Sequence, residues 1–337
     1  MKKKKVFVHI GYEKTGTTTL QKHYLPHIEG VFYLGRHYAP EGGIKFSGYE
    51  EVLGAGDRLF DDEFVEGVRE KFSESLFWEN SSSEIFLLSN ELFTGRFVHP
   101  ASMNDLHRSV TSPNKVIELL QKLFSEEFFD LYFIITIRRQ YDILASRYAQ
   151  SYQYFRKEFR ECLFFRSFEE FKEDFFSDPE NLFRLSYNFL RTADSFAEVL
   201  GKDRILVLPF ELLKENHALF LKSFCDFLGV NGEKLYDKKV PKENVRLAKD
   251  GTRRFDKISV FEELLEVKNK IIPNVHFGFG ESEFSQILRK IHVPFQSNPG
   301  PIKFSDEEKE RIKEIYFLSN KTLSQKYSLK LKEYEYF

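Results

Sequence analysis

A short apolar run at residues 6–10 (VFVHI) gives way to Gly11-Tyr12-Glu13-Lys14-Thr15-Gly16-Thr17-Thr18-Thr19, and then to a helical pattern over residues 20–28. A strand that passes through a glycine turn directly into a helix is the opening half of a βαβ unit. It points the chain toward a parallel sheet with helices on its faces. The turn then lies at the carboxyl end of its strand, where open α/β sheets bind ligands. Glycines let the backbone curl closely round an anion, and the first amides of the helix point at it. The threonine hydroxyls add donors and Lys14 adds a point charge.

Three later segments, residues 84–88 (EIFLL), 131–137 (LYFIITI) and 205–208 (ILVL), have the length and content of buried strands. Helical periodicity fills residues 114–123, 141–154 and 187–200 between them, and 217–228 and 306–327 after them. The alternation predicts an α/β fold, a P-loop-like three-layer sandwich with a central parallel sheet flanked by helices. Residues 30–62 and 273–301 show no such period. They are expected to be loop insertions in a single domain spanning residues 1–337.

The loop departs from a nucleoside-triphosphate loop of the form G-x-x-x-x-G-K-[ST]. Gly11 and Gly16 have its spacing, but residue 17 is threonine, and the lysine stands two residues before the second glycine. The cation is thereby moved away from the far phosphate of a triphosphate. Magnesium-dependent phosphoryl transfer also uses an aspartate closing a neighbouring strand. Here the third strand closes on Arg138-Arg139, and the second is followed by Ser89-Asn90-Glu91.

Bulk properties exclude several classes. With 50 Lys and Arg against 52 Asp and Glu, the chain has no overall basic footprint for nucleic acid. Two cysteines, Cys162 and Cys225, make neither a disulfide framework nor a zinc spacing, and no metal site is expected. The Lys2–Lys5 run with Val6-Phe7-Val8 is too short in its apolar part for a signal peptide, and no stretch reaches the roughly 18 apolar residues of a membrane span. A cytoplasmic location is expected.

The string Glu13-Lys14-Thr15-Gly16-Thr17-Thr18-Thr19-Leu20 resembles the 5′-phosphosulfate loop of sulfotransferases that use 3′-phosphoadenosine-5′-phosphosulfate (PAPS), often written P-K-[ST]-G-T-[TS]-x-L. Glu13 replaces the usual proline. Thr19 replaces the aromatic residue that stacks on adenine in cytosolic members. The family's 3′-phosphate site, an Arg at a strand's carboxyl end with a Ser eight residues on, is matched by Arg138 and Ser146. An arginine fork suits phosphate, and a serine two helical turns later adds a hydroxyl. Arg138-Arg139-Gln140-Tyr141 resembles a bacterial branch of the family. Residues 206–213 (LVLPFELL) and 224–229 (FCDFLG) resemble its strand–helix segment before the last cofactor loop. By that match Phe210 is either an adenine contact or a core aromatic. Arg246-Leu-Ala-Lys249-Asp-Gly251 keeps the first Arg and last Gly of the R-K-G-x-x-G loop, which brings in Arg246.

The resemblance implies binding of PAPS through Lys14, Thr15, Gly16, Thr17, Thr18, Arg138, Ser146 and Arg246, release of 3′,5′-ADP, and no metal. Lys14 is the candidate for stabilising charge on the departing phosphate. Glu91 is the candidate base, since glycan-modifying members use a glutamate after the corresponding strand. His9 is a poor rival because it lies inside the first strand, and His99 and His107 are alternatives in a polar loop. The implied acceptor is a small molecule or glycan, with a carbohydrate favoured and Arg36 and His37 near its cleft. Two other readings remain open: a P-loop kinase with a degenerate loop, and a catalytically inactive nucleotide-binding module.

Overall fold

The computed structural model describes residues 3–35, 63, 66–67, 83–89, 113–124, 126–156, 167–238, 252–253 and 300–337. Two compact units are distinguished. One comprises Met1–Ile143, Glu180–Val245 and Ser305–Phe337, and the other comprises Leu144–Pro179 and Arg246–Phe304.

The first unit carries the sheet. β1 (Lys4–His9), β2 (Phe32–Gly35), β3 (Ile85–Ser89), β4 (Phe129–Ile137) and β5 (Ile205–Pro209) run in the order β2-β3-β1-β4-β5, and every pairing is parallel. The central strands are apolar on both faces, as parallel strands covered by helices require, and Val6, Phe7 and Val8 are fully buried. On one face Phe7, Leu87, Ile134 and Leu208 meet α1 (Thr17–His23) and His217–Leu228. On the other, Phe133 stacks on Phe196 with ring centroids 4.4 Å apart. Phe196 belongs to Phe189–Leu200, a helix that also packs against Pro113–Leu123 and Asp306–Lys326. A central parallel sheet flanked by helices is thus the architecture, as the sequence predicts.

In chain order the remaining helices are α2 (Pro113–Leu123), α3 (Gln140–Arg156), α4 (Phe168–Ser177), α5 (Leu182–Ser186), α6 (Phe189–Leu200), α7 (Phe210–Glu215), α8 (His217–Leu228), α9 (Glu233–Tyr236) and α10 (Asp306–Lys326). Two local expectations need correction. Phe32–Gly35 is an edge strand pairing with β3, although the glycine-rich stretch around it reads as irregular. The first helix starts at Thr17 and not at Leu20, because Gly16, with φ +79°, serves as its N-cap.

The second unit is built on aromatic rings. Tyr148 packs on Phe168 and Phe171 at 5.0 and 5.2 Å, and Phe168 meets Phe304 edge-on at 5.0 Å. Ser167 and Glu170 form a reciprocal capping box that starts α4.

Candidate active site

Strand pairing does not stop where β1 ends. The amide of Ile10 donates to the Ile134 carbonyl at 2.9 Å, and that of Tyr12 donates to the Thr136 carbonyl at 3.0 Å. The glycine turn therefore leaves the sheet alongside the end of β4, in a crevice between strands whose following connections run to opposite sides. Gly11 is fixed by crowding: a β-carbon there would collide with Thr136 Oγ1 and lie 2.7 Å from Thr17 Cγ2. Lys14 has φ +66°, the left-handed region that residues with a β-carbon rarely occupy. Gly16 is also left-handed, and its Cα faces the Phe210 ring, which a β-carbon would approach to 2.7 Å.

A tier of buried polar side chains lies beneath this turn. His9 Nδ1 is 2.8 Å from Ser89 Oγ and His9 Nε2 is 3.3 Å from Thr136 Oγ1. Thr136 Oγ1 is in turn 2.8 Å from Thr15 Oγ1, which donates to the Tyr12 carbonyl. Gln21 of α1 donates from Nε2 to Ser89 Oγ at 3.1 Å. His9, Thr15, Gln21, Ser89 and Thr136 are all fully buried. Tyr12 is anchored separately, its hydroxyl 2.7 Å from Thr192 Oγ1 and its ring edge-on to Phe189 at 4.9 Å.

The turn after β4 is held differently. β4 and β5 end abreast, with Ile137 opposite Pro209, so Arg138 comes to lie beside Phe210. Its guanidinium carbon stands 5.0 Å from the centre of that ring, Nη1 donates to the Lys14 carbonyl at 2.8 Å, and Nη2 is 3.8 Å from Asp142. Arg139 faces the three carboxylates of Asp142, Glu211 and Glu335 at 2.8, 3.6 and 2.8 Å. Glu211 is buried and accepts from the hydroxyl of Tyr336 at 2.7 Å. Burial pushes its carboxyl above the usual range, and this outweighs the opposing pull of the Tyr336 hydrogen bond and the Arg139 charge. Tyr336 is locked in place through its carbonyl, which accepts from Asn320 at 3.0 Å, while Asn320 and Gln140 exchange amide hydrogen bonds at 3.0 and 3.1 Å.

The structure brings Lys14 and Arg138 together, with Thr15, Gly16 and Thr17 on the same turn. Thr15 turns its hydroxyl inward, while Thr17 and Thr18 open α1. Phe210 packs between Gly16 and Arg138. Ser146 is buried on α3 within the second unit. Glu91, Arg246, Arg36, His37, His99 and His107 lie outside the described residues. Sequence reasoning missed the polar tier and the ion cluster at Arg139. Its available signals were a histidine and a threonine inside apolar strands and a second arginine after β4. Among the described residues no group of three or more His, Cys, Asp or Glu could hold a metal, and no helix is long and apolar enough to cross a membrane.

No family model matches the sequence, and no curated protein does. Similar solved structures include a sulfotransferase from Alicyclobacillus acidocaldarius, at 16% identity and TM-score 0.40, covering 81% of this chain and 94% of that one. The sulfotransferase domain from the Synechococcus PCC 7002 olefin synthase is 14% identical with TM-score 0.37, over 86% of this chain and 94% of that one. Mouse sulfotransferase SULT7A1, complexed with PAP, is 12% identical with TM-score 0.37, over 99% of this chain and 90% of that one. Likenesses this remote say what the chain is similar to, and its activity has to be argued from its own residues.

Proposed function

We propose that the chain is a PAPS-dependent sulfotransferase acting on the hydroxyl of a carbohydrate acceptor. One observation carries the reading: the Arg138 guanidinium lies against the turn that bears Lys14, 2.8 Å from its carbonyl. Two segments from separate strand ends, each bearing a cationic residue, thus meet at one turn. A nucleotide with phosphoryl groups on both its 3′ and 5′ positions asks for this pattern, whereas a linear triphosphate does not. The donor set fits: two cations, a left-handed glycine turn, and threonines opening a helix.

PAPS, when bound, supplies the sulfuryl group and departs as 3′,5′-ADP. Lys14, with Thr17, Thr18 and the amides of the turn, holds the 5′-phosphate and stabilises the charge that grows there. The Arg138 guanidinium has five N–H donors and gives one to Lys14, which leaves others for the 3′-phosphate; Ser146 and Arg246 are the further candidates for holding that group. Phe210 backs the guanidinium and keeps its plane fixed. Glu91, two residues beyond the end of β3, takes the proton of the acceptor hydroxyl.

Thermal shift with 3′,5′-ADP, 5′-AMP and Mg·ATP tests this directly. Stabilisation by 3′,5′-ADP without metal is expected, and preference for Mg·ATP would favour a kinase. Arg138→Ala should weaken 3′,5′-ADP binding at least about tenfold, the value of a lost charged hydrogen bond. Lys14→Ala should abolish release of 3′,5′-ADP from PAPS across a saccharide panel. Glu91→Gln should do the same while leaving 3′,5′-ADP affinity intact.

A further inference from the structure

We infer that His9 is a positioning residue, a neutral imidazole carrying its proton on Nε2 that ties the Lys14 turn to the end of β3. The inference rests on the sulfotransferase reading only for its kinetic consequence. The directions of the bonds running from the Tyr12 carbonyl to His9 Nε2 follow from counting protons. A carbonyl only accepts, so the single proton of the Thr15 hydroxyl is spent on Tyr12. The contact between Thr15 and Thr136 is then donated by Thr136, whose proton is spent in turn. His9 Nε2, 3.3 Å from Thr136 Oγ1, has to donate. In the neutral ring Nδ1 is left as the acceptor for the Ser89 hydroxyl at 2.8 Å, and Ser89 receives the Gln21 amide on its remaining lone pairs.

The result is a one-way chain from α1 and β3 through the imidazole to the turn that bears Lys14. The ring has little room to move. It meets Phe224 edge-on at 5.8 Å, and a β-carbon on Gly11 would come within 3.1 Å of Nε2. Two residues past Ser89 stands Glu91. His9 therefore sets the spacing between the turn that bears Lys14 and the end of β3, and it does so from a fully buried position. A buried hydrogen-bond network of this kind rigidifies the groups it joins.

The two ring nitrogens can be replaced one at a time. Glutamine can set its amide nitrogen near the position of Nε2, and asparagine its oxygen near that of Nδ1. His9→Gln keeps the bond to the turn and should hold 3′,5′-ADP within roughly threefold of wild type while kcat falls at least about tenfold. His9→Asn keeps the bond to β3, and its 3′,5′-ADP affinity should drop about tenfold, comparable to the loss of one hydrogen bond that positions a charge. Amide exchange on the ligand-free protein reads the same coupling without any nucleotide: faster exchange at residues 11–17 in His9→Asn, and at residues 85–89 in His9→Gln. If His9→Asn does not fold, Ser89→Ala cuts the β3 arm without altering the ring and should behave as His9→Gln does. Equal effects of the two histidine variants on both segments would overturn the inference. Failure of the wild type to bind 3′,5′-ADP would instead sink the sulfotransferase reading, and the exchange pattern would still decide the role of His9.

Discussion

The turns after β1 and β4 stand side by side at the same end of the sheet, and opposite kinds of force hold them. The first rests on neutral groups: an imidazole, three hydroxyls and an amide, all buried, roofed by a glycine that leaves no space for a side chain. The second rests on charge. Arg138 leans on Phe210 and on the Lys14 carbonyl, while Arg139 is caught among three carboxylates, two of them on surrounding segments and one at its own helix start. Neutral buried networks are insensitive to salt and intolerant of shape change. Ion clusters near the surface tolerate shape change and weaken with salt.

That contrast can be broken from either side. Gly11→Ala should be the most damaging single change, costing about 1–3 kcal/mol of folding stability as overpacking does. Gly30→Ala, which meets nothing within 4 Å, should lose only the roughly 1 kcal/mol of a left-handed backbone. Urea denaturation of the pair measures both, and equal losses would mean that the crowding at Gly11 relaxes freely. Next comes Tyr336→Phe, which removes a donor from Glu211 and should cost about 1–2 kcal/mol by the same assay.

Glu211→Gln sharpens the comparison through pH. The folded-state carboxyl is raised, so its favourable contribution is complete below the ordinary carboxylate range and is lost as pH rises through the raised value. Wild type should lose stability relative to Glu211→Gln over that upward window. A difference that stays flat would show that the Arg139 charge fully offsets burial. The smallest effect should be that of salt. Arg139→Met should narrow its stability gap to wild type by a few tenths of a kcal/mol when ionic strength rises from about 0.1 to about 1 M, because the exposed Glu335 partner is screened first. Gly11→Ala should show no such dependence.

Four of the five strands were legible because residues buried on both faces leave long apolar runs, as in LYFIITI of β4. β2 escaped because it is a four-residue edge strand, paired on one side only, in a glycine-rich setting. α4 was missed by a reading based on periodicity, although Ser167-Phe168-Glu169-Glu170 carries a capping-box pattern that would have marked its start. Lys14 and Arg138 were readable from their positions at strand ends. Their direct contact was not, since it depends on β1, β4 and β5 lying next to one another. His9 looked unhelpful within its strand. Its partners, Ser89 and Thr136, sit 80 and 127 residues away, and only the sheet order assembles them.

The left-handed backbone at Lys14 creates a conflict between robustness and charge. Every side chain with a β-carbon is disfavoured there by about 1 kcal/mol, and glycine is not. A laboratory selection for heat resistance alone should therefore drift toward glycine at residue 14, yielding a hardier protein that has surrendered its cation. The lysine persists at that position only where something other than durability is being selected.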